Sequence, residues 1–165
     1  MKIFQVINKD LLTLAEIEKE LFREDAFGVF LLFHYLEDHI LFDKILNEQN
    51  AIIGFGIIAD LQPTVLNPHE LKYIEEIRNQ VSMVAHLVDL AIRTKYWGNG
   101  YGHTLLTHFF QKLEEKNYQY VYLEVDTTNF RAIQFYQIHG FKEIGSIQSY
   151  YSTGHNAILM LKQLN

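Results

Sequence analysis

The sequence predicts a mixed α/β fold in one domain, and three of its features carry that prediction. Apolar or alternating segments of strand length recur along the chain. Between them lie longer stretches whose apolar residues return every three or four positions, the spacing of a helix with one buried face. In the second half the two kinds alternate as strand, helix, strand, helix, strand, whereas the first half holds a hairpin. That order calls for a sheet with both parallel and antiparallel neighbours.

Each element has a local reason. Lys2 to Ile7 alternates and reads as a strand. Asp10 stands at a capping position before Leu11, Leu14, Ala15, Ile17, Glu18, Leu21 and Phe22, which are spaced as on a helix. Val29 to Leu36 is apolar, and its pattern alone leaves helix and strand open. Ile40 to Leu46 and Ala51 to Ala59 read as a hairpin joined by Asn47-Glu48-Gln49-Asn50, a turn composition. Residues 61–82 break the pattern, and Pro68 fits the first turn of a short helix reaching Ile77. Val84 to Ile92 suits a buried strand. A helix follows Gly98, Gly100 and Gly102 and runs to about Lys116, with Leu105, Leu106, Phe109, Phe110 and Leu113 on one face. Val121 to Val125 is a second buried strand. Asn129 begins a helix with Ala132, Ile133, Tyr136 and Ile138 inside, and Gly140 stops it. Ile144 to Tyr151 and Ala157 to Leu161 read as closing strands.

Composition excludes several functions. At 165 residues and 48% hydrophobic content the chain is large enough for a substantial core. There is no cysteine, hence no disulfide, no thiolate-held zinc and no thiol nucleophile. The formal charge of −6 argues against a nucleic-acid partner and mildly favours a cationic one. No apolar run approaches the ~18 residues of a membrane helix, and no signal-peptide core precedes the first strand, so a cytoplasmic location is expected. His34 and His39, like His103 and His108, lack metal-site spacing, so no metal is expected and most histidines read as surface residues.

The sharpest local feature is Tyr96-Trp97-Gly98-Asn99-Gly100-Tyr101-Gly102, between a buried strand and an amphipathic helix. Amides at a helix N-terminus lack internal acceptors and the dipole there favours negative charge, so such a turn can hold a phosphate. A tight turn without a ligand would use the same glycines. The residues after Gly100 are not the Lys-Ser/Thr of a P-loop, and the glycine spacing is not that of a dinucleotide fingerprint.

Taken together, Leu90-Ala91-Ile92, the glycine turn, Leu123-Glu124-Val125, the run Asn129 to Tyr136 with Gly140-Phe141, and the tail Tyr150-Tyr151 with Asn156 to Met160 resemble the GNAT acetyltransferase superfamily. Within it the chain is most similar to the ribosomal-protein alanine and archaeal N-terminal acetyltransferases. The resemblance implies one GNAT domain over residues 1–165, with a mostly antiparallel sheet of about seven strands flanked by helices on both faces. Residues 61–82 would be a lengthened connection between the third and fourth strands. It further implies acetyl-CoA as co-substrate, held by the backbone of Leu90, Ala91 and Ile92 and by the turn Trp97, Gly98, Asn99, Gly100, Tyr101, Gly102, His103 and Thr104. Asn129 would also bind coenzyme A, and Tyr136 would lie near the sulfur. Trp97 stands where many members carry Gln or Arg.

The chemistry such residues would do is acetyl transfer to an amine by direct attack, since no cysteine can carry the acetyl group. Glu124, in an apolar strand, is the candidate base, because desolvation raises a carboxylate toward useful values. Its alternative is a structural carboxylate paired with a neighbour, and Asp89 competes for the role. Tyr136 is the candidate acid, or else a packed core aromatic. Tyr150, Tyr151 and Phe33 are candidates for the acceptor site, with the two tyrosines otherwise a pair on opposite faces of a strand. The acceptor is expected to be a protein N-terminal α-amine. Alternatives are a small amine, or no reaction at all in a coenzyme-A-binding module. Monomer and homodimer are both open.

Overall fold

In a computed structural model the structure describes residues 1–61, 75 and 83–165. Among the described residues seven strands form one mixed sheet flanked by helices: β1 Lys2–Gln5, β2 Leu41–Leu46, β3 Ile52–Asp60, β4 Val84–Ile92, β5 Tyr120–Asp126, β6 Lys142–Ile147 and β7 Ala157–Gln163. Their order is β1-β2-β3-β4-β5-β7-β6. The helices whose bounds lie among the described residues are α1 Leu11–Phe22, α2 Gly28–Glu37, α3 Tyr101–Glu115 and α4 Phe130–Ile138. The helix expected from Pro68 to Ile77 lies, but for Glu75, outside the described residues.

The chain divides into two compact units, residues 1–59 with 87–112 and residues 60–86 with 113–165. In the first, β1, β2 and β3 are antiparallel neighbours. Gly54 lies against Ala91 and Ile92, and Gly56 against Asp89 and Phe109, so β4 runs opposite to β3 at close approach. The core there gathers Leu11, Leu14 and Ile17 of α1, Leu32 of α2, and Phe42, Phe55, Ile57 and Ala91 of the sheet. In the second unit the parallel register of β4 with β5 runs Val84↔Tyr120, Ala85↔Val121 and His86↔Tyr122. β7 pairs antiparallel with both β5 and β6. Its core holds Leu61, Val84, Tyr122, Ile147 and Leu159.

Three local expectations are corrected. Asp10 has helical dihedrals and makes no capping bond to α1. Its carboxylate instead accepts the Ile7 amide at 2.9 Å and pairs with Lys44. Ile138, the last residue of α4, is 83% exposed rather than inside. The last hairpin also differs. β6 stops at Ile147, since Ser149 adopts φ 50° and its amide bonds the Asn156 side chain at 2.9 Å. Tyr150 and Tyr151 therefore sit in a loop, their rings meeting edge to face at 5.1 Å, and not on opposite faces of a strand.

Candidate active site

In the first unit, β4 leads into a short 3-10 turn, Thr94–Tyr96, and then the glycine turn. Gly98 and Gly100 adopt φ of 77° and 79°, and a Cβ at either would meet nothing within 4 Å. The glycines are thus required by conformation, and the space outside them is open. The Thr104 amide already donates to Gly100 O at 2.9 Å, and its hydroxyl does so at 3.0 Å. This is the first helical bond of α3, so the amides at the open end are those before Thr104. The Thr104 amide itself is spent. Trp97 has a role the sequence did not suggest: its indole N–H donates to Ile92 O at 2.5 Å. That bond straps the turn back onto the end of β4. Asn99 braces the same turn, its amide donating to the carbonyls of Tyr96 and Trp97 at 3.2 and 3.1 Å.

Asp89 and Glu18 are buried together in this unit, 7% and 1% exposed. Glu18 Oε2 accepts the Phe27 amide at 2.8 Å. Glu18 Oε1 and Asp89 Oδ2 are buried without a hydrogen-bond partner. Burial first, and then the facing Glu18, hold the Asp89 carboxyl well above the usual carboxylate range. Burial and a neighbouring acid both favour the protonated form of this carboxyl. Phe33, on α2, is partly exposed.

In the second unit the parallel register that sets His86 beside Tyr122 lets its ring reach Glu124 two residues on. His86 Nε2 and Glu124 Oε2 are 2.7 Å apart, with the Glu124 side chain only 9% exposed. Tyr151 is mostly buried nearby. Burial first, then the charge of Glu124, then Tyr150, Asp126 and Tyr136, push its phenol up, so it stays a neutral donor. Tyr136, one face of α4, packs edge-on against Phe135 at 5.4 Å and Phe141 at 5.5 Å. Asn129 caps α4, its Oδ1 accepting the Ala132 amide at 3.1 Å. This unit therefore brings together Glu124, Tyr136, Tyr150 and Tyr151 among the sequence candidates. It adds two residues that sequence reasoning missed, His86 and Asp126. His86 had a faint signal, being the polar residue that interrupts the apolar start of β4.

Residues 8–141 match the Acetyltransferase (GNAT) family. The chain belongs to that family. This GNAT chain is 38% identical over 80 residues to an N-alpha-acetyltransferase of Sulfurisphaera tokodaii, a match covering 48% of each chain. It is 35% identical over 69 residues to the ribosomal protein bS18-alanine N-acetyltransferase of Escherichia coli, covering 42% of this chain and 47% of that one. The GNAT chain thus spans about half the length of these curated relatives. Its fold is that of the crystal structure of Ard1 from Thermoplasma volcanium, with TM-score 0.82 at 20% identity, covering 99% of this chain and 97% of that one. No helix among the described residues is long and apolar enough to cross a membrane.

Proposed function

We propose that this protein transfers an acetyl group from acetyl-CoA to the N-terminal α-amine of a protein, by direct attack in a ternary complex. The observation that carries the reading is the Glu124–His86 pair, a nearly buried carboxylate oriented by an imidazole at 2.7 Å beside the neutral phenol of Tyr151. The names of its relatives, N-alpha-acetyltransferase and alanine N-acetyltransferase, support the acceptor class.

In this reading acetyl-CoA supplies the thioester. The backbone of Leu90, Ala91 and Ile92 meets its pantetheine arm, and the turn amides from Gly98 to His103 meet its diphosphate, where the dipole of α3 favours negative charge. Asn129 contributes its side-chain N–H, because its oxygen is occupied by the cap. The acceptor arrives as an ammonium. Glu124 takes one proton, directly or through water, while His86 fixes the carboxylate's orientation. The freed amine attacks the thioester carbonyl and a C–N bond forms; the nitrogen of the tetrahedral adduct gives its second proton to solvent, and the C–S bond breaks. The Tyr136 phenol donates its proton to the departing thiolate and is restored from solvent. Tyr151, held neutral, donates a hydrogen bond to the acceptor's first peptide carbonyl, with Tyr150 beside it. Asp89 is not assigned the base's role, since it is buried in the core and burial with Glu18 raises its carboxyl well above the usual range.

Acetyl-CoA turnover over a panel of N-terminal peptides and small amines tests the reaction. Turnover of peptides above background is expected. Turnover of small amines alone would replace the acceptor, and none at all with coenzyme A still bound would leave a binding module. The Glu124→Gln and Tyr136→Phe double variant should keep coenzyme A affinity and lose at least about tenfold in rate.

A further inference from the structure

The β6–β7 connection, residues 148–156, is long for a hairpin, where loops of about two to five residues are usual. It nevertheless holds a defined shape. Tyr151 N–H donates to His155 O at 3.2 Å, Gly154 N–H to Tyr151 O at 2.8 Å, and Ser149 N–H to Asn156 Oδ1 at 2.9 Å. Ser149 and Gly154 both take positive φ, 50° and 80°. These bonds shape the loop but do not say where it lies. Polar contacts tie it to the end of β5 and to the turn that follows. The Thr127 amide donates to Asn156 O at 3.0 Å, and His155 Nδ1 meets Asp126 Oδ2 at 2.8 Å.

Asp126 is the last residue of β5, two positions beyond Glu124 and on the same face. Its other oxygen, Oδ1, accepts the Thr128 amide at 2.7 Å and the Thr128 hydroxyl at 2.8 Å. One carboxylate therefore joins three elements: β5, which carries Glu124; the turn into α4, which carries Tyr136; and the loop that carries Tyr150 and Tyr151. The Thr128 hydroxyl also lies 3.4 Å from His155 Nδ1. Burial opposes the charge on Asp126, but the Thr128 amide, the His155 ring and the Thr128 hydroxyl outweigh it and hold the carboxyl below its ordinary range. The anion is maintained, and with it the acceptor for the His155 N–H.

We propose that Asp126 and His155 form a positioning pair that latches the 148–156 loop onto the end of β5 and so sets Tyr151 against Glu124 for acceptor binding. The inference rests on the acceptor reading above. Neither residue touches the reacting atoms; they act through Tyr151. The pair is partly exposed, His155 by 44%, so its removal is a modest perturbation rather than a collapse of the fold.

The test compares the full-length wild type with His155→Ala and His155→Asn. Asparagine can place a side-chain N–H near the position of Nδ1 and is the conservative rescue. Backbone hydrogen exchange at Tyr151 and Gly154 is measured with steady-state kinetics in a peptide acceptor and in acetyl-CoA. His155→Ala should speed exchange at both amides, raise the peptide KM about fivefold and leave the acetyl-CoA KM unchanged. His155→Asn should restore exchange and peptide KM together. Unchanged exchange in His155→Ala overturns the latch. Faster exchange with an unchanged peptide KM, or equal rises in both KM values, overturns its role in acceptor positioning. Should the wild type turn over no peptide, the acceptor reading fails by itself, and the exchange rates alone decide whether the latch exists.

Discussion

Replacing Asp89 by asparagine should change the slope of stability against pH, not merely its level. In the wild type the carboxyl groups of Asp89 and Glu18 are both buried, and burial together with the neighbouring Glu18 favours a proton on Asp89 shared with Glu18. An unfolded aspartate releases that proton near its ordinary value of about 3.9, whereas the folded one keeps it well above that. The native state then binds more protons than the unfolded state, so stability falls as pH rises. The contribution is fully present below the unfolded value and is lost progressively toward the folded one. The loss is about 1.4 kcal/mol per pH unit for one proton. For a chain of this length 1 kcal/mol moves Tm by about 2–4 °C, so the slope is roughly 3–6 °C per pH unit. In Asp89→Asn the amide N–H replaces the shared proton and does not titrate. Thermal melts of both proteins from pH 4.5 to 8 should show the variant gaining on the wild type by that slope as pH rises, until Asp89 ionises. A difference in Tm that stays flat across the range would refute the shared proton.

Other perturbations read other parts of the molecule. Gly56→Ala should lower stability by about 1–3 kcal/mol in a urea titration, because its Cβ would stand 2.5 Å from the Phe109 ring and 3.2 Å from Asp89 O. Gly98→Ala faces open space, so it should cost only the strain of a positive φ, about 1–2 kcal/mol, and be felt mainly as weaker coenzyme A binding by calorimetry. Trp97→Phe keeps a ring but removes the N–H donated to Ile92 O, and should weaken coenzyme A binding several-fold by loosening the turn. His86→Ala leaves Glu124 without its orienting partner and should lower kcat by about tenfold or more while the acetyl-CoA KM holds.

The parts of this fold that were legible in the sequence are those encoded by local pattern. Val84 to Ile92 was readable as a strand to the residue because its apolar run is bounded by a change of composition at both ends. The glycine turn was readable because Gly98 and Gly100 mark positive φ in plain sight. Pairings between distant residues were not. His86 meets Glu124 across 38 positions, through a parallel register that no local pattern specifies. Glu18 and Asp89 likewise looked like unrelated acids, one on a helix and one in a strand. Tyr150 and Tyr151 were read into β6 because serine at 149 gives no warning that it will adopt a left-handed conformation. Asn129 was legible twice over, as a helix cap by residue type and as a site residue by resemblance.

The strap from Trp97 to Ile92 has a practical side. The chain contains a single tryptophan, and it sits at the entrance of the turn that the diphosphate would occupy. Its near-ultraviolet emission comes from one place, so quenching or a wavelength shift during titration would report arrival at that turn without any label. The protein carries its own optical gauge for the cofactor step, separate from any measure of acetylated product.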